Sequence, residues 1–272
     1  MWSLRAWQGR FVAHPLRADE RLRAYATVCN AVEGNTTFYA TPTVETVSSW
    51  ASQTPDDFRF VLKLPKPVTH VHRLAGMPEE LGRFLSVIEP LGPRVHALWI
   101  QLPGSFGPGD LPTLAAFLRR LPPTFRYAVE VRHREFFEAP AALEAVLAAH
   151  DAEWIPFDTT EMFASRPTSD AERDAWTKKP RMPLRTRALT GRPIVRYLGR
   201  DDVEQTVEGW QRWVEATAQW LREGRTPTVF LHTPDNAEAP GLARRFHDEV
   251  RALVPGLEAL PEPEPVEPAT LF

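Results

Sequence analysis

The chain has 272 residues, 43% of them hydrophobic and 25% charged, with a formal net charge of −3. That length suits one α/β barrel, which takes about 250 residues, and the composition supports a packed core and excludes global disorder. The near-neutral charge excludes a general attraction to nucleic acid or anionic membrane, and the single cysteine, Cys29, excludes an intrachain disulfide and a cysteine-rich zinc site.

Met1-Trp2-Ser3-Leu4-Arg5 lacks the apolar run of a signal peptide, and no segment approaches a membrane span. A cytoplasmic, reducing compartment is expected, with Cys29 a buried, inert thiol on an apolar helical stretch. In chain order, residues 19–28 read as a helix carrying Leu22, Tyr25 and Ala26, and residues 31–38 as a strand. Thr43 caps a helix with Val47 and Trp50 on one face. Residues 58–64 are a strand, residues 78–88 a helix with Leu81, Phe84 and Ile88 in a stripe, and residues 95–102 a strand. Leu114, Phe117 and Leu118 mark the next helix, residues 126–133 a strand, Leu143 and Leu147 a helix, and residues 153–158 a strand. Residues 161–192 form a long, mostly basic connection, of the kind that is usually functional or mobile. Residues 193–198 and 228–232 are the last strands, followed by helices striped with Trp210, Trp213 and Leu221 and with Leu242, Phe246 and Val250. At that spacing the two tryptophans read as core rather than as a ligand platform.

Alternating strands and helices imply a parallel sheet. No G-x-G-x-x-G and no G-x-x-x-x-G-K-[ST] supports a nucleotide-binding open sheet. The expected fold is a TIM-type (β/α)₈ barrel over residues 1–260, with residues 261–272 an extended, disordered Pro/Glu-rich tail.

Active sites of such barrels lie at the C-terminal ends of the strands. Polar residues stand near each of those ends: Glu33 and Asn35, Lys63, Gln101, Glu130 and Arg132, Asp158, Arg196 and His232. The outer face of a barrel strand is covered by helices, where an unpaired charge costs several kcal/mol, so these side chains are expected to point inward into one cavity. A structural ion network filling the mouth is the bland alternative. His70-Val71-His72 is a weak metal signal. A set of Glu130, Asp158 and His232 around a divalent ion is disfavoured by the neighbouring Lys63, Arg132 and Arg196, so no cofactor is expected. No G-x-S-x-G elbow suggests acyl transfer.

Val32-Glu33-Gly34-Asn35-Thr36-Thr37-Phe38-Tyr39 resembles the V-E-x-N-x-T-F-Y hallmark of the YecE-like family (domain of unknown function seventy-two). Phe58-Arg59-Phe60 with Lys63, Thr69-His70, and Leu98-Trp99-Ile100-Gln101-Leu102-Pro103 continue the resemblance. So do Val129-Glu130-Val131-Arg132-His133 and Phe230-Leu231-His232-Thr233-Pro234. The resemblance runs from about Trp2 to Leu253. It implies a TIM barrel and names no reaction. Members of the family usually open with a strand resembling I-G-x-x-x-W that is largely absent here, so a first strand truncated or missing is expected, with unpaired edges on the strands at 31–38 and 228–232.

The leading functional expectation is an enzyme or binding barrel for a small anionic ligand bearing phosphate or carboxylate. Lys63, Arg132 and Arg196 hold the anion, and Asn35 and Gln101 orient hydroxyls. Glu130 and Asp158 form the acid/base pair, with Glu33 in reserve and His232 as proton shuttle, in hydrolase, lyase or isomerase chemistry. The alternative is nucleic-acid binding through the basic residues of 166–192, which are expected to lie over the C-terminal face.

Overall fold

In the computed structural model, which describes residues 2–13 and 16–260, the apolar runs become short parallel strands. The strands β1 (Ala31–Gly34), β2 (Arg59–Lys63), β3 (Val95–Gln101), β4 (Tyr127–Glu130) and β5 (Glu153–Trp154) pair in that order. The strands β6 (Phe157–Asp158), β7 (Ile194–Leu198) and β8 (Thr228–His232) form a second parallel sheet. Parallel neighbours need long crossovers, and between strands these hold α2 (Thr36–Tyr39), α3 (Val44–Ser52), α4 (Glu79–Ile88), α5 (Leu111–Arg120), α6 (Glu135–Glu138), α7 (Ala141–Ala148), α8 (Asp170–Lys178) and α9 (Val203–Arg222), while α1 (Arg21–Ala26) precedes β1 and α10 (Ala239–Leu253) follows β8. Thr43, Ser169 and Asp202 start α3, α8 and α9 by accepting the N–H groups of Thr46, Glu172 and Gln205.

Three runs differ from their sequence reading. The strand at 31–38 stops at Gly34, because Asn35 already has helical backbone angles and α2 follows. The strand at 126–133 stops at Glu130. The strand at 153–158 divides into β5 and β6 at Ile155-Pro156, since proline has no N–H to donate to a ladder. Single bonds still cross the division: Ile155 N–H donates to Val129 O (2.9 Å) and Arg196 N–H to Pro156 O (3.1 Å).

The closed eight-stave sheet is not what the pairing shows. Among the described residues β1 pairs with β2 alone and β8 with β7 alone. Residues 2–13 hold a 3₁₀ turn at Arg5–Trp7 and a single Gln8–Val12 bridge instead of a strand. What is shown is an α/β fold of two parallel sheets. The tail read at 261–272 lies outside the described residues.

One apolar cluster nevertheless draws on nearly every strand. It contains Val61, Trp99, Ala128, Ile155, Ile194 and Phe230, with Ala31 packed against it. All but Ile155 lie two residues before a polar residue singled out in the sequence, so the two sets share a face of their strands. The outer helices seal the opposite face. Trp210 and Trp213 on α9 are fully buried, as their spacing predicts. No helix among the described residues is long and apolar enough to cross a membrane.

Candidate functional site

The Thr37 hydroxyl bridges the carbonyls of Gly34 (2.9 Å) and Lys63 (2.7 Å), tying together the ends of β1 and β2. Gly34 permits that approach, because a Cβ there would sit 2.5 Å from Leu62 Cδ2. Glu33 and Lys63 are thereby presented side by side. Glu33, 3% exposed, is the hub of the polar cluster. Its Oε1 lies 3.1 Å from Lys63 Nζ, and its Oε2 accepts from Arg196 Nε (3.1 Å) and His232 Nε2 (2.9 Å). Burial alone would raise this carboxyl, but Arg196, Lys63 and His232 together hold it well below the usual carboxylate range.

Lys63 also donates to Gln101 Oε1 (2.9 Å) and stands 4.3 Å over the Trp99 ring. Burial pulls its ammonium down to about 8, helped by Arg196 and resisted by Glu33 and Glu130. Burial also lowers His232, against the pull of Glu33. Its two ring nitrogens face oxygens, Nε2 that of Glu33 Oε2 and Nδ1 that of Asn236 Oδ1 3.0 Å away. Asn236 holds a left-handed backbone (φ 57°), and its carbonyl accepts the Trp7 indole N–H.

Glu130 is fully buried. Its Oε1 accepts from Arg132 Nε at 2.8 Å, while Oε2 has no hydrogen-bond partner among the described residues. Beyond Nε, the guanidinium groups of Arg132 and Arg196 make no hydrogen bond with the described residues. Their guanidinium planes lie against Phe157, at 5.9 and 4.3 Å. Phe157 is thus the inward-facing residue of β6.

The structure therefore brings together Glu33, Lys63, Gln101, Arg196 and His232, with Glu130 and Arg132 beside them. Asp158 is a correction. With Phe157 inward, Asp158 faces the other way, where Oδ2 accepts the Trp213 indole N–H (2.7 Å) and Oδ1 accepts from Thr160 N (2.8 Å) and Thr160 Oγ1 (2.7 Å). Its lone pairs are committed to the helical sheath, so it is neither the partner acid of Glu130 nor part of a metal set with Glu130 and His232. Asn35 is half-buried just past β1 and makes no side-chain hydrogen bond with the described residues. No cluster of three His, Cys, Asp or Glu with metal-binding geometry exists among the described residues.

Two further groups stand beside this cluster, His70, read in the sequence only as part of a weak metal signal, and Lys179 of the basic connection. His70, in a π-helical turn (Pro67–Val71), is lowered by burial and then by Arg132, and feels Glu130. Lys179 is lowered by burial and then by Arg196, while Glu33 and Glu130 raise it. It sits at the end of α8, where the first half of the long connection covers the strand ends. Arg200, just past β7, fastens that half by donating to Glu172 (2.7 Å) and to the carbonyls of Ser165 and Arg166. The second half turns away: Arg185 and Arg187 pair with Glu144 on α7, and Leu189 and Thr190 bond to Glu153. Arg173 and Lys178 pair with Asp170 and Asp174. Four of the eight basic residues of 166–192, Arg173, Lys178, Arg185 and Arg187, are thus paired within the fold.

A separate apolar cavity of about 290 Å³ lies along the facing edges of β1 and β8, beneath α10. It meets the polar group only at Glu33, His232 and Asn236.

A family model described as "Protein of unknown function DUF72" matches residues 1–267. The UPF0759 protein YecE of Escherichia coli, from strain K12 and from O157:H7, is 41% identical over 243 residues, 88% of this chain and 89% of the relative. The crystal structure of a DUF72 family protein from Thermotoga maritima superposes with a TM-score of 0.70 at 22% identity, covering 92% of this chain and 96% of that one. A DUF72 family protein from Enterococcus faecalis gives 0.65 at 16% identity, covering 90% and 92%.

Proposed function

The chain belongs to the DUF72 family, and from that membership and the charge of its polar cluster we propose that it is a barrel that binds a small anionic substrate in a pocket at the C-terminal ends of its strands. The two sheets act as one (β/α) barrel opened between β1 and β8, within a single domain that ends near residue 260. What supports this is the apolar cluster shared by both sheets and Glu33 of β1 bonding across the opening to β7 and β8.

One observation carries the ligand class. Four cationic side chains, Lys63, Arg132, Lys179 and Arg196, face two carboxylates, Glu33 and Glu130, and the Nη groups of both arginines have no partner among the described residues. A phosphate or carboxylate supplies the missing negative charge and accepts bidentate bonds from the guanidinium forks. Glu33 serves as the ionised anchor that positions Lys63, Arg196 and His232. His232, with both nitrogens engaged, orients Glu33 and does not shuttle protons. Glu130, with one oxygen bonded to Arg132 and the other open, is the general base in this reading.

The test is a thermal-shift screen of phosphorylated and carboxylated metabolites against neutral analogues, at fixed ionic strength. A ligand at a hundred times its Kd adds about 2.7 kcal/mol to native stability. Stabilisation by particular anions, lost in Arg132→Met and Arg196→Met, is expected. Equal stabilisation by neutral analogues, or full retention in both variants, would refute the reading.

A further inference from the structure

The opposite pole of the strands carries a second concentration of positive charge that the Glu33 cluster does not use. Arg59 is the first residue of β2, and its Nη1 donates to Pro227 O (3.3 Å) and Thr228 Oγ1 (3.2 Å). Thr228 is the first residue of β8, and its hydroxyl lies 3.4 Å from His96 Nε2. His96, the second residue of β3, is only 8% exposed. Arg126 immediately precedes β4 and reaches the Thr190 hydroxyl (3.5 Å), which also accepts the backbone N–H of Arg192 (3.2 Å). Arg192 stands two residues before β7, exposed, and its guanidinium makes no hydrogen bond with the described residues. The strand starts thus set three guanidinium groups around one buried imidazole.

Nearby carboxylates do not neutralise them. Glu153 spends its oxygens on the N–H groups of Trp154, Leu189 and Thr190 and on the Thr190 hydroxyl. Asp57 acts on Arg59, and Asp151 and Glu153 on Arg126, at longer range. Arg225, next to Thr190, is already paired with Glu223 (2.8 Å). Among the described residues Arg59, Arg126 and Arg192 form no ion pair. Their mutual influence is visible: burial and then Arg192 lower both Arg59 and Arg126. Burial, then Arg59, Arg126 and Arg192, bring His96 down to about 3. His96 is therefore neutral at working pH and retains one N–H to donate.

We infer that Arg59, Arg126 and Arg192, grouped around His96 at the N-terminal pole of the strands, form a second anion site that takes a phosphoryl group. Three forks arriving from β2, β4 and β7 suit a tetrahedral anion with four oxygens better than a planar carboxylate, whose two oxygens lie in one plane. A phosphate near neutral pH carries between one and two negative charges, which relieves the repulsion among three cations without reversing it. The site lies at the other end of the strands from the Glu33 cluster, and the inference does not depend on what that cluster binds.

The experiment titrates the full chain with inorganic phosphate by calorimetry at matched ionic strength, using chloride as reference and glycerol 3-phosphate in parallel. Tighter binding of the ester points to a phosphorylated metabolite, and tighter binding of the free ion to phosphate itself. Either supports the site, provided Arg126→Met and Arg192→Met each weaken it on the order of thirtyfold or more while Arg132→Met does not. Arg192 is exposed, so its variant keeps the fold. A second readout is the His96 ring in NMR, identified by its loss in His96→Gln. Its titration midpoint rises when phosphate binds beside it. Phosphate binding that survives both Arg126→Met and Arg192→Met, that vanishes only with Arg132→Met, or that chloride reproduces would overturn the inference.

Discussion

At the scale of single residues, Glu33 holds the most. Replacing it with Gln leaves Lys63 and Arg196 buried without their shared counter-charge, and a loss of about 3–5 kcal/mol in urea unfolding at pH 7 is expected. The pH dependence has a definite sign. The folded Glu33 carboxyl lies well below its ordinary value, so on acidification the unfolded chain takes up the proton first. Its stabilisation is full above about pH 4.3 and is lost as pH falls through the folded value. The stability gap between wild type and Glu33→Gln should therefore narrow in acid. A gap that is constant down to pH 2 would contradict the pairing. Lys63 works at the other end of the scale. With its ammonium at about 8, anion affinity should fall between pH 7 and 9, and Lys63→Met should remove most of that slope. The period-two rule found six of the inward polar residues, because each follows an inward apolar one by two positions. It fails at Asp158 because Ile155 sets the parity of β6 and puts Phe157 inside. Asp158→Ala should cost about 2–3 kcal/mol of stability through the stranded Trp213 and Thr160 donors, and leave ligand affinity unchanged.

At the scale of elements, helix stripes were legible because helix cores repeat every three or four residues over ten or more positions. Strand ends were not. Nothing in the run from Val32 to Tyr39 marks the switch at Asn35, since Thr, Phe and Tyr all favour strands by propensity and tertiary contact overrides it. Pro156 was a visible signal of the divided strand. Contact between elements also decides glycine positions. On α9, a Cβ at Gly209 would sit 2.7 Å from Glu161 Cγ and also meet the Tyr197 hydroxyl. Ala at an exposed helix site gains up to about 1 kcal/mol over Gly. Here Gly209→Ala should instead lose about 1–3 kcal/mol by overpacking α9 against β7. An increased thermal midpoint would show that α9 can shift outward freely.

At the scale of the whole molecule, two features set expectations. Among the described residues β1 and β8 each lack a ladder on one side, so their amides not bonded to β2 or β7 should exchange with deuterium faster than those of β3. Equal protection would mean that the opening is closed in solution. The long connection from 161 to 192 reads as a basic patch in the sequence, but its partners, Asp170, Asp174 and Glu144, are only visible once α7 and α8 are placed. Duplex DNA should accordingly show no binding with the steep salt dependence of many phosphate contacts. The central claim is that the polar cluster holds an anion on Arg132 and Arg196. Its most direct measurement is the calorimetric affinity of the best anion from the screen, compared across wild type, Arg132→Met, Arg196→Met and Asp158→Asn. Each arginine variant should lose about 2–5 kcal/mol of binding, roughly thirtyfold to several thousandfold, while Asp158→Asn matches wild type. The same affinity in all four proteins would contradict the claim.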